Sequence, residues 1–252
     1  MKIAVVIKQV PDVEARIRAE DGKVSLDGVS FILDGMDEYG VEEALRLREG
    51  GLECDISVLA LGPARVQDAI RTALAMGADE ATHIVTDDQL DALAQAKVFA
   101  DVVRMQGAEL VLLGGKQADW DSAALGAALA EELGWPLSDW TTSLELEGRA
   151  LTLRHDTDQG TERLEMPLPA VVTTQQGLNE PRYPTLPNIM KAKRKPVELL
   201  SLAELGSVSS LTRIADEAIE TRDRRNEILS GDAATVAKEL VDRLRNEARV
   251  LA

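Results

Sequence analysis

The sequence predicts an α/β fold: a parallel sheet flanked by helices, with a β-hairpin addition and an extended C-terminal arm ending in a helix. Two observations predict it. Short runs rich in Val, Ile and Leu, apolar on both faces, alternate with longer segments whose apolar residues recur at helical spacing. That is the pattern of strands buried on both sides by the helices that connect them. From residue 143 to 153 the pattern changes to strict alternation around Glu147-Gly148, which marks an antiparallel hairpin.

Lys2-Ile-Ala-Val-Val-Ile-Lys8 reads as the first buried strand, ended by Gln9-Val-Pro-Asp12. Residues 14–29 read as a loop with a small hairpin, with turn signals at Asp21-Gly22 and Asp27-Gly28. Asp34-Gly35-Met36-Asp37 reads as a turn, with Asp37 as the cap of a helix that carries Val41, Ala44, Leu45 and Leu47 and stops at Gly50-Gly51. Residues 54–61 form the second strand. Gly62-Pro63 breaks it and opens a helix to about Met76, closed by Gly77. Residues 81–86 give a third strand, 91–105 a long amphipathic helix, and 110–113 a fourth strand broken at Gly114-Gly115. A helix is expected from about Asp121 to Leu133. Beyond the hairpin, residues 161–166 and 170–174 continue the strand-rich part, either extending the first sheet or forming a small second one. Residues 207–226 have mixed charge and little apolar content, so they are expected to be extended or poorly ordered. Ser230-Gly-Asp232 then starts a helix to about Arg249, with Val236, Leu240, Leu244 and Ala248 on one face. The division expected is a domain over 1–200 and an arm over 201–252.

Composition narrows the function classes. The 252 residues suffice for one full core, and a net charge of -16 argues against general nucleic-acid binding, which needs a basic face. No apolar run approaches the ~18–20 residues that span a bilayer, and the N-terminal run is too short for a secretory signal. One cysteine, Cys54, excludes an internal disulfide framework, so a cytoplasmic protein is expected. His83 and His155 lack metal-ligand spacing, and there is no phosphate-binding Gly-x-x-x-x-Gly-Lys-Ser/Thr, no Gly-x-Gly-x-x-Gly and no Gly-x-Ser-x-Gly. Glu42-Glu43 and Glu131-Glu132 read as solvated helix faces.

In a parallel sheet, ligands bind outside the carboxyl ends of the strands, where the strand order reverses. The segments there are Val6 onward, 34–37, Leu61-Gly62 and 114–126. Gly114-Gly115 would let backbone approach a ligand closely. First-turn N–H groups near 121–124 could hold a phosphate, with Ser122 adding a hydroxyl. Asp119 and Asp121 weigh against a polyphosphate. A plain strand-to-helix loop is the alternative.

The segment 178–196 is the most unusual. Pro181, Pro184 and Pro187 fix φ and remove donors, so its first half is a stiff extended surface segment. Asn188-Ile-Met-Lys-Ala-Lys-Arg-Lys195 reads as a short helix with cations at its end, where the helix dipole favours them. It is either a solvated connector or a docking loop with Leu186 as a projecting apolar anchor.

The run Leu178-Asn-Glu-Pro-Arg-Tyr-Pro-Thr-Leu-Pro-Asn-Ile-Met-Lys-Ala-Lys193 resembles the signature and recognition loop of electron transfer flavoprotein β subunits. Ile70-Arg-Thr-Ala-Leu-Ala-Met-Gly-Ala-Asp79, the N-terminal strand and the helix at Val41-Glu-Glu-Ala-Leu-Arg-Leu47 are similar to the same family. The resemblance covers nearly the whole chain and weakens after about Ser201. It implies a Rossmann-like fold of the adenine nucleotide hydrolase type. It also implies a 1:1 heterodimer with an α subunit that holds most of the FAD. Such a pair is an electron carrier, not an enzyme with its own turnover. It takes electrons from flavin dehydrogenases, such as the acyl-CoA dehydrogenases of fatty acid oxidation, and passes them to a quinone oxidoreductase.

By the same resemblance, an AMP site would comprise Val6, Asp34, Gly35, Met36, Asp37, Leu61 and the run Gly114, Gly115, Lys116, Gln117, Ala118, Asp119, Trp120, Asp121, Ser122, Ala123, Ala124, Leu125. In bifurcating relatives a second FAD takes that place. Here Ala123, Ala124 and Leu125 replace side chains that are often Asn or Ala, Gln, and Thr or Val in the family, which removes polar side-chain contacts while main-chain contacts could survive. Trp120 could stack on a base, shield it, or meet the partner subunit. The partner-recognition residues implied are Tyr183, Leu186, Pro187, Ile189 and Met190, and the C-terminal helix would reach the α subunit. A stand-alone adenine-nucleotide module, similar to the universal stress proteins, would explain 1–133 but neither the Pro-rich loop nor the tail.

Overall fold

Strand β1 (Lys2–Ile7) is apolar from Ile3 onward because it runs through the middle of the sheet with both faces covered. The computed structural model of the chain describes residues 1–20, 23–206, 208–219 and 226–251. After β1 come β2 (Gln9–Pro11), the hairpin β3 (Arg18–Glu20) and β4 (Lys23–Ser25), and β5 (Phe31–Leu33), which pairs antiparallel with β2. Helix α1 (Gly35–Glu49) follows, then β6 (Asp55–Gly62), a 3-10 turn (Ala64–Val66), α2 (Gln67–Met76) and β7 (Glu80–Val85). Next are α3 (Ala92–Gln106), β8 (Leu110–Gly114) and α4 (Leu125–Leu133). The chain continues through β9 (Leu137–Glu147), β10 (Ala150–Thr157), β11 (Gly160–Pro167), β12 (Ala170–Thr174), α5 (Leu186–Ala192), β13 (Val197–Ser201), a second 3-10 turn (Leu202–Leu205) and α6 (Ala233–Asn246).

The main sheet runs β11-β10-β9-β12-β8-β1-β6-β7-β13, and every pairing from β9 to β13 is parallel. This is the α/β Rossmann-like architecture that the strand–helix alternation predicts. Alternate residues of each strand serve opposite faces. Ile3, Val5, Val58 and Leu112 pack with Val41, Leu45, Ile70 and Leu74 of α1 and α2. Ala4, Val6, Leu59, Val111 and Leu113 pack with Val98, Phe99, Val102 and Leu129 of α3 and α4.

One alternative resolves here. The hairpin extends the first sheet, because β9 pairs parallel with β12 while β10 and β11 add antiparallel at the edge. The C-terminal helix, capped by Asp232, buries none of its residues on this chain. Strand β13 is not predicted by the sequence reading: its half-exposed Val-Glu-Leu-Leu-Ser carries no clear period, and only its parallel pairing with β7 makes it a strand. Helix α4 begins at Leu125, four residues later than expected. Asp121 and Ser122 lie in a turn, and Ala123 has φ 51°, which interrupts a helix.

Helix α5 begins at Leu186 instead of Asn188, with Thr185 as its cap and Pro187 inside its first turn. It ends at Ala192, so Lys193, Arg194 and Lys195 lie beyond it. Lys195 Nζ instead donates to the carbonyls of Leu74 and Ala78, at the C-terminal end of α2, at 3.0 and 2.5 Å. Of the stretch expected to be extended or poorly ordered, Ser207 and 220–225 lie outside the described residues. Residues 208–219 have no helix or strand and are fastened at Asp91, whose Oδ2 accepts from the N–H groups of Leu211 and Thr212 at 2.7 and 2.9 Å. Among the described residues no helix is long and apolar enough to cross a membrane.

Candidate functional site

The strand order reverses at β1: β6 lies on one side and β8 on the other, which opens a crevice beyond their C-terminal ends. A buried carboxylate occupies that point. Asp37, in the first turn of α1, accepts from the N–H of Lys8 at 2.7 Å and of Gly114 at 2.8 Å, so one side chain ties the ends of β1 and β8 together. Burial pushes its carboxyl well above the usual range, and the nearby Asp34 charge adds to this, while the two N–H groups pull it back. The cap of α1 is Asp34, not Asp37, because the helix starts at Gly35. Asp34 accepts from the N–H of Met36 at 2.8 Å and, through its other oxygen, from that of Ala118 at 2.7 Å. It too is raised, chiefly by burial.

The two glycines at the end of β8 serve packing. A Cβ on Gly114 would stand 2.7 Å from Asp37 Oδ1 and from Met36 Cβ, and one on Gly115 would stand 2.9 Å from the Trp140 ring. The absence of a Cβ at Gly114 and Gly115 therefore makes room for the start of α1 and for Trp140. Trp140 holds φ 49°, and its N–H donates to Thr173 Oγ1 at 2.7 Å, at a bulge in the β9–β12 pairing.

Two hollows flank this junction. The crevice, about 270 Å³, lies over the ends of β1 and β6 and is lined by Lys8, Gln9, Leu61, Arg65, Asp119 and Trp120, with Ile214 and Glu217 of the arm at its mouth. Its cations are engaged. Lys8 Nζ pairs with Asp119 at 2.7 Å and stands 5.8 Å from the Trp120 ring centre, and Arg65 donates to Gln9 Oε1 at 2.7 Å while lying 3.9 Å over Phe31. The second hollow is a groove of about 490 Å³ between the start of α1 and the Pro-rich segment, lined by Val13, Asp34, Met36, Tyr39, Lys116, Ala118 and residues 181–184. Its wall is largely apolar.

Beyond the groove the Pro-rich segment presents an unusual surface. Tyr183 is 95% exposed and Leu186 73%, with Pro187, Ile189 and Met190 also exposed. The same segment is fixed from beneath. Arg182 grips Glu42 through Nε and Nη2 at 2.8 and 2.9 Å and Glu49 through Nη1 and Nη2 at 2.6 and 2.9 Å, and Asn179 donates to Glu43 at 2.8 Å. Glu42 and Glu43 are therefore buried, not solvated as the acidic pair suggests, because a segment more than a hundred residues away covers them.

A profile of the electron transfer flavoprotein domain matches residues 22–205. The chain is 38% identical to the electron transfer flavoprotein subunit beta of Bradyrhizobium diazoefficiens, with all of both chains covered. It is 37% identical to that of Bacillus subtilis over all of both chains and 36% to that of Homo sapiens over 99% of each. The chain belongs to the electron transfer flavoprotein beta-subunit family.

The residues expected for a nucleotide in this flavoprotein subunit do not form one wall. Leu61, Asp119 and Trp120 face the crevice, while Asp34, Gly35, Met36, Lys116 and Ala118 face the groove. Val6 and Leu125 lie in the core between the sheet and α3–α4, and Gln117 is buried. Asp121 is exposed and pairs with Lys116 at 2.6 Å; Ser122 and Ala124 are exposed and Ala123 half-buried. One feature fits a phosphate-bearing group. Helix α4 starts at Leu125, and Ala124 before it gives no side-chain cap, so an anion there would be held by main-chain N–H groups alone.

The sequence reading missed the underpinning of this surface: Asn179, Arg182 and their partners Glu42, Glu43 and Glu49, and the groove residues Val13 and Tyr39. One signal was available. Glu42 and Glu49 are seven residues apart, two turns on one face of α1, and a single arginine stands inside a Pro-rich run.

Proposed function

We propose that this chain is the beta subunit of a heterodimeric electron carrier that accepts electrons from flavin dehydrogenases, such as acyl-CoA dehydrogenases, and passes them to a quinone oxidoreductase. The observation that carries this reading is the exposed Tyr183–Leu186–Met190 surface on a segment fixed to α1, beside an apolar groove. A rigid loop that projects one large apolar side chain loses little entropy on binding, so Leu186 is the docking anchor. Residues 1–200 are the nucleotide-binding-like domain, and 201–252 the arm. Helix α6, none of whose residues is fully buried on this chain, packs on the α subunit.

The redox FAD is held mainly by the α subunit and supplies the electron-accepting ring system. The groove beside Val13, Met36, Tyr39 and Tyr183 is the side of that site closed by this chain. With the flavin bound, those side chains would shield it from water on this side. AMP is the structural ligand assigned to this chain, its phosphate on the uncapped start of α4; a second FAD is the alternative. The chain has no substrate turnover of its own and works in the cytoplasm.

Co-expression with its α subunit, then acid release and chromatography of bound nucleotides, tests the cofactor assignment. One FAD and one AMP per heterodimer supports it; two FAD and no AMP moves the reading to electron bifurcation. Absence of both flavin and a stable partner sinks it. For docking, Leu186→Ala should slow reduction by the dehydrogenase at unchanged flavin content, and an unchanged rate removes the anchor.

A further inference from the structure

The Pro-rich segment is pinned at both ends. Before the exposed surface, Arg182 bridges Glu42 and Glu49, its own N–H donates to Glu42 at 3.2 Å, and Asn179 donates to the Tyr39 carbonyl at 3.0 Å. After it, Arg71 donates to the carbonyls of Ala192 and Lys195 at 2.7 and 2.9 Å. Only three residues separate Arg182 from Leu186, and Pro184 and the Thr185 cap of α5 stiffen that short span. The core does not need this clamp: α1 packs on the sheet through Val41, Ala44 and Leu45, not through Glu42 or Glu49. Among the described residues, the side chains of these two glutamates accept hydrogen bonds only from Arg182.

We infer that Arg182 is a positioning residue, which sets Leu186 and the groove wall in docking geometry through a double-carboxylate clamp on α1. This inference rests on the docking role proposed for Leu186. Guanidinium is suited to it. Its planar fork meets the Glu42 carboxylate in two parallel bonds and still reaches Glu49, and an ammonium can do neither with fixed geometry. Without the fork the segment samples other arrangements, and its apparent affinity for the partner falls with the fraction still in docking geometry.

The test uses the flavin-loaded heterodimer and a flavin dehydrogenase that reduces it, with KM and kcat measured for wild type, Arg182→Lys, Leu186→Ala and the double variant. Arg182→Lys should raise KM for the dehydrogenase about tenfold with kcat unchanged, as expected if about a tenth of the population keeps docking geometry. Because Arg182 acts through Leu186, the double variant should match Leu186→Ala alone, a non-additive result. Multiplying losses in the double variant, or a loss in Leu186→Ala with none in Arg182→Lys, overturns the positioning role and leaves docking intact. No loss in Leu186→Ala overturns the docking reading itself. Glu49→Gln guards against a folding defect. It removes only the exposed half of the clamp, should raise KM about two- to threefold by the same population argument, and should speed tryptic cleavage near Lys191 and Arg194. Wild-type KM and wild-type cleavage in Glu49→Gln overturn the clamp as well.

Discussion

Helix α1 holds two parts of the molecule by the same residue types and in opposite ways. At its start, Asp34 and Asp37 are buried and accept only backbone N–H groups at the junction of β1, β8 and the following loop. Along its outer face, Glu42 and Glu49 accept the guanidinium of Arg182 at the half-exposed edge of the docking segment. The consequence shows in their acidities. Burial pushes the Asp37 carboxyl well up, whereas hydrogen bonds from Arg182 hold Glu49 below its usual range. An acid placed among N–H dipoles in a core fixes geometry at an electrostatic cost, and one paired with a cation at the surface does not bear that cost.

The largest effect that separates the two ends is Asp37→Ala. It strips acceptors from two buried N–H groups, at Lys8 and Gly114, and leaves a small void, so a loss of roughly 3–5 kcal/mol is expected. Urea unfolding measures it; a loss below about 1 kcal/mol would mean that water replaces the carboxylate and the junction is looser than the distances imply. Gly114→Ala comes next. Its Cβ meets Asp37 and Met36 at 2.7 Å, both set by a helix start, so a cost of about 1–3 kcal/mol follows from overpacking.

The two ends should also differ in the sign of their pH dependence. Asp37 has a raised pKa in the folded state, so the native protein binds a proton that the unfolded chain has released. Stability therefore falls as pH rises from the unfolded value, about 3.9, toward the raised one. Glu49, lowered, contributes stability above the unfolded value and loses it as pH falls through its folded value. Urea midpoints of wild type and Asp37→Asn between pH 4 and 7 isolate the first. The advantage of wild type should shrink as pH rises, and an advantage that grows instead shows that the two N–H bonds outweigh burial.

The difference between the ends also explains what the sequence could disclose. Strands such as Val111-Leu-Leu113 declare themselves because burial on both faces leaves no polar residue. The Pro-rich segment declares itself because proline restricts the backbone wherever it stands. The start of α1 is ambiguous in sequence because Asp34 and Asp37 are equally good capping residues, and only the contact of Asp37 with Lys8 and Gly114 decides between them. Glu42-Glu43 looked solvated because the cover comes from Asn179 and Arg182, far along the chain. Strand β13 does not show in the sequence because a five-residue edge strand with exposed residues on both faces carries no period to read. Local backbone chemistry is legible in sequence, while pairing between distant segments is not.

The smallest stability effect expected marks the opposite extreme from Asp37. Leu186 is 73% exposed, so truncation to Ala removes little buried area and no hydrogen bond. Helix α5 keeps its cap at Thr185 and its contact with α2 through Arg71. Leucine and alanine are both good helix formers, so propensity changes by only a few tenths of a kcal/mol. Leu186→Ala should therefore leave the urea midpoint within about 0.5 kcal/mol of wild type, as an exposed substitution does. A larger loss would show that Leu186 is packed against its own chain in solution. The side chain would then be part of what fixes the segment, as Asp37 is part of what fixes the junction, and its availability to a partner would be lost.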